Sequence, residues 1–184
     1  QEGERFVDEM GRRDVISKGI IEQTDSIAYL IWGQEVESVG NMVEVHSKEY
    51  ETMEKDRVIF KADSIEEAAE HYGISKEALT ETINKFNGFV ADGKDADFNK
   101  GGTLRTIAEG PFYIQKVTPS THHTMGGINI NTNAEVINKD GKVIENLYAA
   151  GEVVGDIHGT NRLGGNAITD IVVFGRIAGQ NVVK

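Results

Sequence analysis

Two glycine-rich stretches near the end of the chain constrain it more than any other part of the sequence. One is Thr121-His122-His123-Thr124-Met125-Gly126-Gly127. The other is Leu147-Tyr148-Ala149-Ala150-Gly151-Glu152, followed by His158-Gly159-Thr160-Asn161-Arg162-Leu163-Gly164-Gly165-Asn166-Ala167-Ile168. Small residues let a ligand and the backbone approach closely. Arginine and histidine side chains set among them bind anions. Everything before Thr121 is expected to act as a lid over these stretches.

The rest of the composition mainly excludes. With 184 residues the chain can bury a sizeable core, and 39% hydrophobic against 27% charged residues is ordinary for a globular protein. No apolar run approaches the ~20 residues of a membrane span. A net charge of -11 argues against a nucleic-acid partner, which would ask for a basic face. The chain has no cysteine, so disulfides, thiolate metal sites and a cysteine nucleophile are all absent, while the compartment stays open. No metal site is expected, because the histidines lack ligand spacing. Residue 1 is Gln rather than Met, so the sequence is expected to start inside something longer.

Hydrophobic periodicity predicts a mixed α+β chain. A turn and short strand are expected over Gln1–Val7. A helix is expected over Asp14–Gln23, capped by Asp14, and strands over Ile27–Trp32, Val58–Ala62 and Pro111–Val117. Residues 33–57 give little beyond a helical turn at Tyr50–Lys55. Ser64 and Glu67 form a capping box for a helix that Gly73 ends. Ser75 caps a longer helix to about Asp92, with Leu79, Ile83, Phe86 and Val90 on one face. Asp92–Gly102 reads as a loop. Two alternating runs at Ile128–Asn131 and Ala134–Ile137 precede a hairpin turn at Asn138–Lys142, and Asn146–Ala150 reads as a strand. The last helix, Gly165–Val183, is apolar nearly all round its first half and is expected to be buried.

Gly3-Glu4-Arg5-Phe6, Arg12-Arg13-Asp14, His122–Gly127, Ala149–Glu152 and His158–Ala167 together resemble the C-terminal part of soluble fumarate reductases of the flavocytochrome c type. These are related to succinate dehydrogenase flavoproteins and to urocanate reductase. The resemblance covers essentially the whole chain. It implies a capping (clamp) domain over residues 1–123 and the C-terminal segment of a Rossmann-like FAD-binding domain over residues 124–184. The sequence departs from the family in having no Gly-x-Gly-x-x-Gly, the turn that seats a cofactor pyrophosphate.

The resemblance implies FAD as cofactor and a small dicarboxylate as substrate. Arg162 matches an arginine that binds a substrate carboxylate, which suits the planar guanidinium fork; a structural arginine bridging loop and sheet is the competing reading. His123 matches the substrate-carboxylate histidine, and Gly165 lies beside the same pocket. His122 is assigned to a supporting place or to the flavin, and His158 to an orienting role. Arg13 matches the proton donor. Free arginine has a pKa near ~12.5–13.8, so that role needs a relay to refill it, and the matching relay residues would lie before Gln1. Glu152 matches an FAD ligand. The amides of Asn166, Ala167 and Ile168 open the last helix toward the flavin's electron-rich edge.

The expected activity is FAD-dependent reduction of the C=C bond of an unsaturated acid, fumarate to succinate first. Urocanate or another enoate is the alternative. For the isolated chain the alternative is a non-catalytic fragment without the dinucleotide-binding half. An electron donor, haem, flavin or NADH-linked, is implied but not encoded here.

Overall fold

The computed structural model describes residues 2–184, which divide into two units, Gln1–Pro119 and Ser120–Lys184. Both mix helix and strand.

The first unit is built on a three-stranded antiparallel sheet of β1 (Ala28–Trp32), β2 (Ile59–Ala62) and β3 (Phe112–Val117), in the order β1-β3-β2. Ile114 of the central strand faces Ile31 on one side and Phe60 on the other, and is fully buried. Trp32 and Tyr113 are direct cross-strand partners, with rings stacked at 5.3 Å. Helices α5 (Ile65–Tyr72) and α6 (Lys76–Asp92) supply Ala68, Ala69, Leu79 and Ile83 to the same core. The predicted stripe on α6 is buried at Leu79, Ile83 and Phe86, while Val90 is only partly covered.

Local chemistry sets the helix ends. The Ser64 hydroxyl accepts from the Glu67 amide at 3.1 Å, and the Ser75 hydroxyl from the Ala78 amide at 3.3 Å. Glu67 reaches back one residue further than a regular capping box and accepts from the Asp63 amide at 2.7 Å. Gly73 and Gly93 end α5 and α6 with φ of 66° and 72°, where a side chain would be strained.

Several expectations are corrected. Gln1 lies outside the described residues, and residues 2–7 form no strand. Arg5 is instead held by side-chain bonds to Glu9 and Asp95. Helix α1 runs over Arg13–Ile21 and starts one residue before Asp14, which therefore sits in the first turn, paired with Arg12 at 3.0 Å. Residues 34–55 hold three short helices, α2 (Gln34–Gly40), α3 (Met42–Val45) and α4 (Ser47–Lys55). Glu37 organises their start, accepting from Trp32 Nε1 and from the Val43 amide.

The second unit contains a hairpin, β4 (Glu135–Ile137) with β5 (Val143–Tyr148), and helix α7 (Asn166–Asn181). The turn forms as predicted, with Asn138 Oδ1 accepting from the amides of Asp140 and Lys142. Ile128 and Ile130 make only isolated bridges, to Val154 and Val136. The strand expected over Asn146–Ala150 starts and ends earlier, as β5.

Helix α7 is not buried as expected. Ile168 is 64% exposed and Val172 62%. Only Ala134, Val136 and Val154 form the buried hydrophobic set of this unit. An apolar helix face tells that a cover is required, not that the same segment supplies it.

Candidate active site

The residues of both glycine-rich stretches lie in the second unit, and a close backbone crossing joins them. The Ile128 amide donates to the Val153 carbonyl at 2.8 Å, and the Gly155 amide to the Ile128 carbonyl at 3.1 Å. A Cβ on Gly127 would strike the Val153 carbonyl and come within 2.8 Å of the Gly155 amide nitrogen. Gly127 and Gly155 are therefore required by contact between the two backbones.

That crossing sets His123 beside Glu152. The Thr124 amide donates to Glu152 Oε1 at 2.7 Å, and His123 Nδ1 lies 3.7 Å from Glu152 Oε2. The bond from the Thr124 backbone, with the nearby imidazoles of His123 and His122, holds the Glu152 carboxyl below the usual carboxylate range. The His123 side chain is 7% exposed, whereas His122 is exposed. The ring of His158 stands edge-on to that of His123, 5.3 Å away at 72°. Behind it, His158 Nε2 lies 3.2 Å from Asp170 Oδ2.

Arg162 is 7% exposed and makes one side-chain hydrogen bond, from Nη1 to the Leu163 carbonyl at 3.0 Å. Its Nε is buried without a partner, and among the described residues no carboxylate pairs with it. A buried cation with an orphaned donor calls for an anion.

Gly165 stands at the start of α7 with φ of 82°, and no side chain caps the helix. The Asn166 and Ile168 amides donate to the carbonyls of Leu163 and Gly165. The Ala167 amide has no such partner among the described residues. An open amide at an uncapped helix start, together with the unpaired Arg162, fits oxygen-rich anionic groups of the kind FAD carries.

Arg13 is in the first unit, as the first residue of α1. It is exposed, and its side chain has no hydrogen-bond or ion-pair partner among the described residues. Asp170 had no place in the sequence reading; the only hint was a lone acid on the apolar face of the last helix. Among the described residues no cluster of three or more His, Asp or Glu could hold a metal ion, and no helix is long and apolar enough to cross a membrane.

An uncapped helix start, a glycine-lined crossing and a buried arginine without a counter-ion among the described residues leave hydrogen-bond donors suited to anionic groups in this unit. The FAD binding domain family matches residues 1–168, and the chain belongs to that family. A urocanate reductase from Eggerthella lenta is 46% identical over 98% of this chain. A fumarate reductase (cytochrome) from Shewanella frigidimarina is 45% identical over all of it. The chain spans 30% and 31% of the length of those two relatives. The open conformation of a flavocytochrome c3 fumarate reductase superposes with a TM-score of 0.75 at 41% identity, covering 98% of this chain and 31% of that one. The cofactor of the family is FAD.

Proposed function

We propose that the chain is the substrate-covering and cofactor-completing part of an FAD-dependent reductase of unsaturated carboxylic acids, with fumarate to succinate as the leading reaction. On this reading residues 1–123 form the capping domain and residues 124–184 the C-terminal segment of a Rossmann-like flavin-binding domain. The exposed apolar face of α7 is then the surface that the dinucleotide-binding half covers. The observation that carries the proposal is Arg162, a buried guanidinium with an unsatisfied Nε and no counter-ion among the described residues. Such a group costs stability unless an anion completes it, and a substrate carboxylate meets its fork with paired hydrogen bonds.

Glu152 and the first turn of α7, Asn166 to Ile168, would hold FAD, with Ala167 offering the open amide. When bound, FAD supplies hydride to one carbon of the double bond. Arg13 is assigned the proton for the other carbon, a role that requires a relay to return a proton to the guanidinium after each transfer. Arg162 and His123 hold one carboxylate and accept charge building on it, with Gly165 leaving room at the helix start. His123 Nδ1 lies nearest Glu152, which leaves Nε2 as the nitrogen assigned to substrate. Electrons come from a haem, flavin or NADH-linked donor.

The test is turnover of the full-length protein with fumarate, urocanate and other enoates. Arg162→Met is expected to lose about 3 kcal/mol of transition-state stabilisation, over a hundredfold in kcat/KM. Unchanged turnover in that variant overturns the assignment. Arg13→Ala is expected to abolish turnover while leaving substrate affinity nearly intact. His122 is exposed next to the packed His123, so alanine variants of both decide which imidazole reaches substrate: the larger loss in kcat/KM marks it. The rival for the isolated chain is a non-catalytic, stable fold that binds neither FAD nor substrate. Flavin absorbance that stays with the purified 184 residues after FAD addition and desalting argues against that rival.

A further inference from the structure

Asp170 projects from α7 and is 5% exposed. One carboxylate oxygen, Oδ2, lies 3.2 Å from His158 Nε2, and the other, Oδ1, is buried without a partner. An ionised carboxylate only accepts, so in this contact His158 is assigned the tautomer with the proton on Nε2. Side-chain exposures of 12% for His158 and 3% for Asp170 leave the pair little freedom to rotate. The His158 and His123 rings lie 5.3 Å apart at 72°, and His123 Nδ1 is 3.7 Å from Glu152 Oε2.

From this arrangement we infer that Asp170 is a positioning residue for the reduction site: through His158 it holds the His123 ring with Nε2 turned toward the ligand. This rests on the reading of His123 given above. Glu152 cannot do this alone. Its carboxylate is half exposed and 3.7 Å from His123 Nδ1, beyond a good hydrogen bond, so it attracts the ring without fixing its plane. The buried Asp170–His158 contact supplies the rigid wall. Scaffolding alone does not account for a carboxylate kept buried with one oxygen unsatisfied, because a leucine of similar size would pack there without that cost. Holding a reacting group in register does account for it, since small displacements are expensive in rate.

The experiment uses the full-length FAD-loaded protein with histidine-selective 15N labels. Asp170→Asn keeps an acceptor for His158 Nε2–H. It is expected to retain the His158 tautomer, the His123 resonances and a KM within about twofold of wild type. Asp170→Leu removes the acceptor. It is expected to shift the His123 ring signals and raise KM about tenfold, with kcat changed less and flavin content unaltered. His158→Gln keeps a donor for Asp170 but removes the ring wall, and is expected to raise KM as the leucine variant does. It keeps the inference testable should Asp170→Leu fail to fold. Wild-type KM and unmoved His123 signals in a folded Asp170→Leu or His158→Gln protein overturn the inference. Should wild-type protein reduce none of the acids, the functional reading fails, and the His123 signals alone then decide whether Asp170 positions the ring.

Discussion

Replacing Asp95 with alanine is expected to destabilise the first unit by about 3–5 kcal/mol, the cost of removing one partner from a buried ion pair. Asp95 is 1% exposed and takes five hydrogen bonds: two from Arg5, at 3.1 and 2.8 Å, and one each from the amides of Asp97, Phe98 and Lys100. The Arg5 guanidinium lies over the rings of Phe86 and Phe98, at 5.0 and 4.9 Å from their centroids. Without Asp95, three amides lose their acceptor and the guanidinium keeps only Glu9. Chemical unfolding of wild type and variant measures the difference.

The same contact has a pH signature. The Arg5 hydrogen bond, opposed by burial and aided by the backbone amides, holds the Asp95 carboxyl far below its ordinary range. A depressed folded-state pKa gives stability that is fully present above the unfolded value of ~3.9 and is lost as pH falls through the folded value. Wild-type melting temperature is therefore expected to fall on acidification below about pH 4. Asp95→Asn should start lower and respond less in that window. Equal slopes for the two proteins would assign the acid sensitivity to other carboxylates.

The second large effect is expected at Gly127. Gly127→Ala should destabilise the second unit by about 3 kcal/mol, from overpacking plus two weakened hydrogen bonds. The added Cβ meets the Val153 carbonyl and the Gly155 amide, and neither is a side chain that can turn aside. The two backbones must separate, which lengthens the bonds between Ile128, Val153 and Gly155. Because the same crossing sets Thr124 and His123 against Glu152, the substitution should also weaken FAD retention. Melting temperature and flavin content of the full-length variant check both effects. A variant that melts with wild type would show that the crossing can relax at little cost.

Elements written in neighbouring residues could be read from the sequence. The caps at Ser64 and Ser75, the Asn138 turn and the buried positions of α6 all follow from side chains within a few residues of each other. The Arg5–Asp95 contact joins positions 90 residues apart, and no local pattern announces it. Residues 34–55 form three helices too short for a period to emerge. In the site, glycines and charged side chains marked the two stretches, and the structure sets His123 against Glu152 within them. That Asp170 stands behind His158 depended on how α7 docks, which sequence spacing does not reveal. Apolarity all round α7 suggested burial, yet its first turns stay exposed because a hydrophobic face does not name its cover.

The order of strands in the first sheet bears on how the chain is made. β1 and β2 do not bond to each other; each pairs only with β3, which lies between them and comes last in sequence. During synthesis, α5 and α6 can fold on their local signals while both earlier strands wait with open edges until Phe112–Val117 has left the ribosome. Exposed edges of that kind invite pairing with other chains. Speed of elongation between residues 62 and 112 thus sets how long a nascent copy is open to aggregation, and codon changes in that interval would alter yield without changing the folded protein.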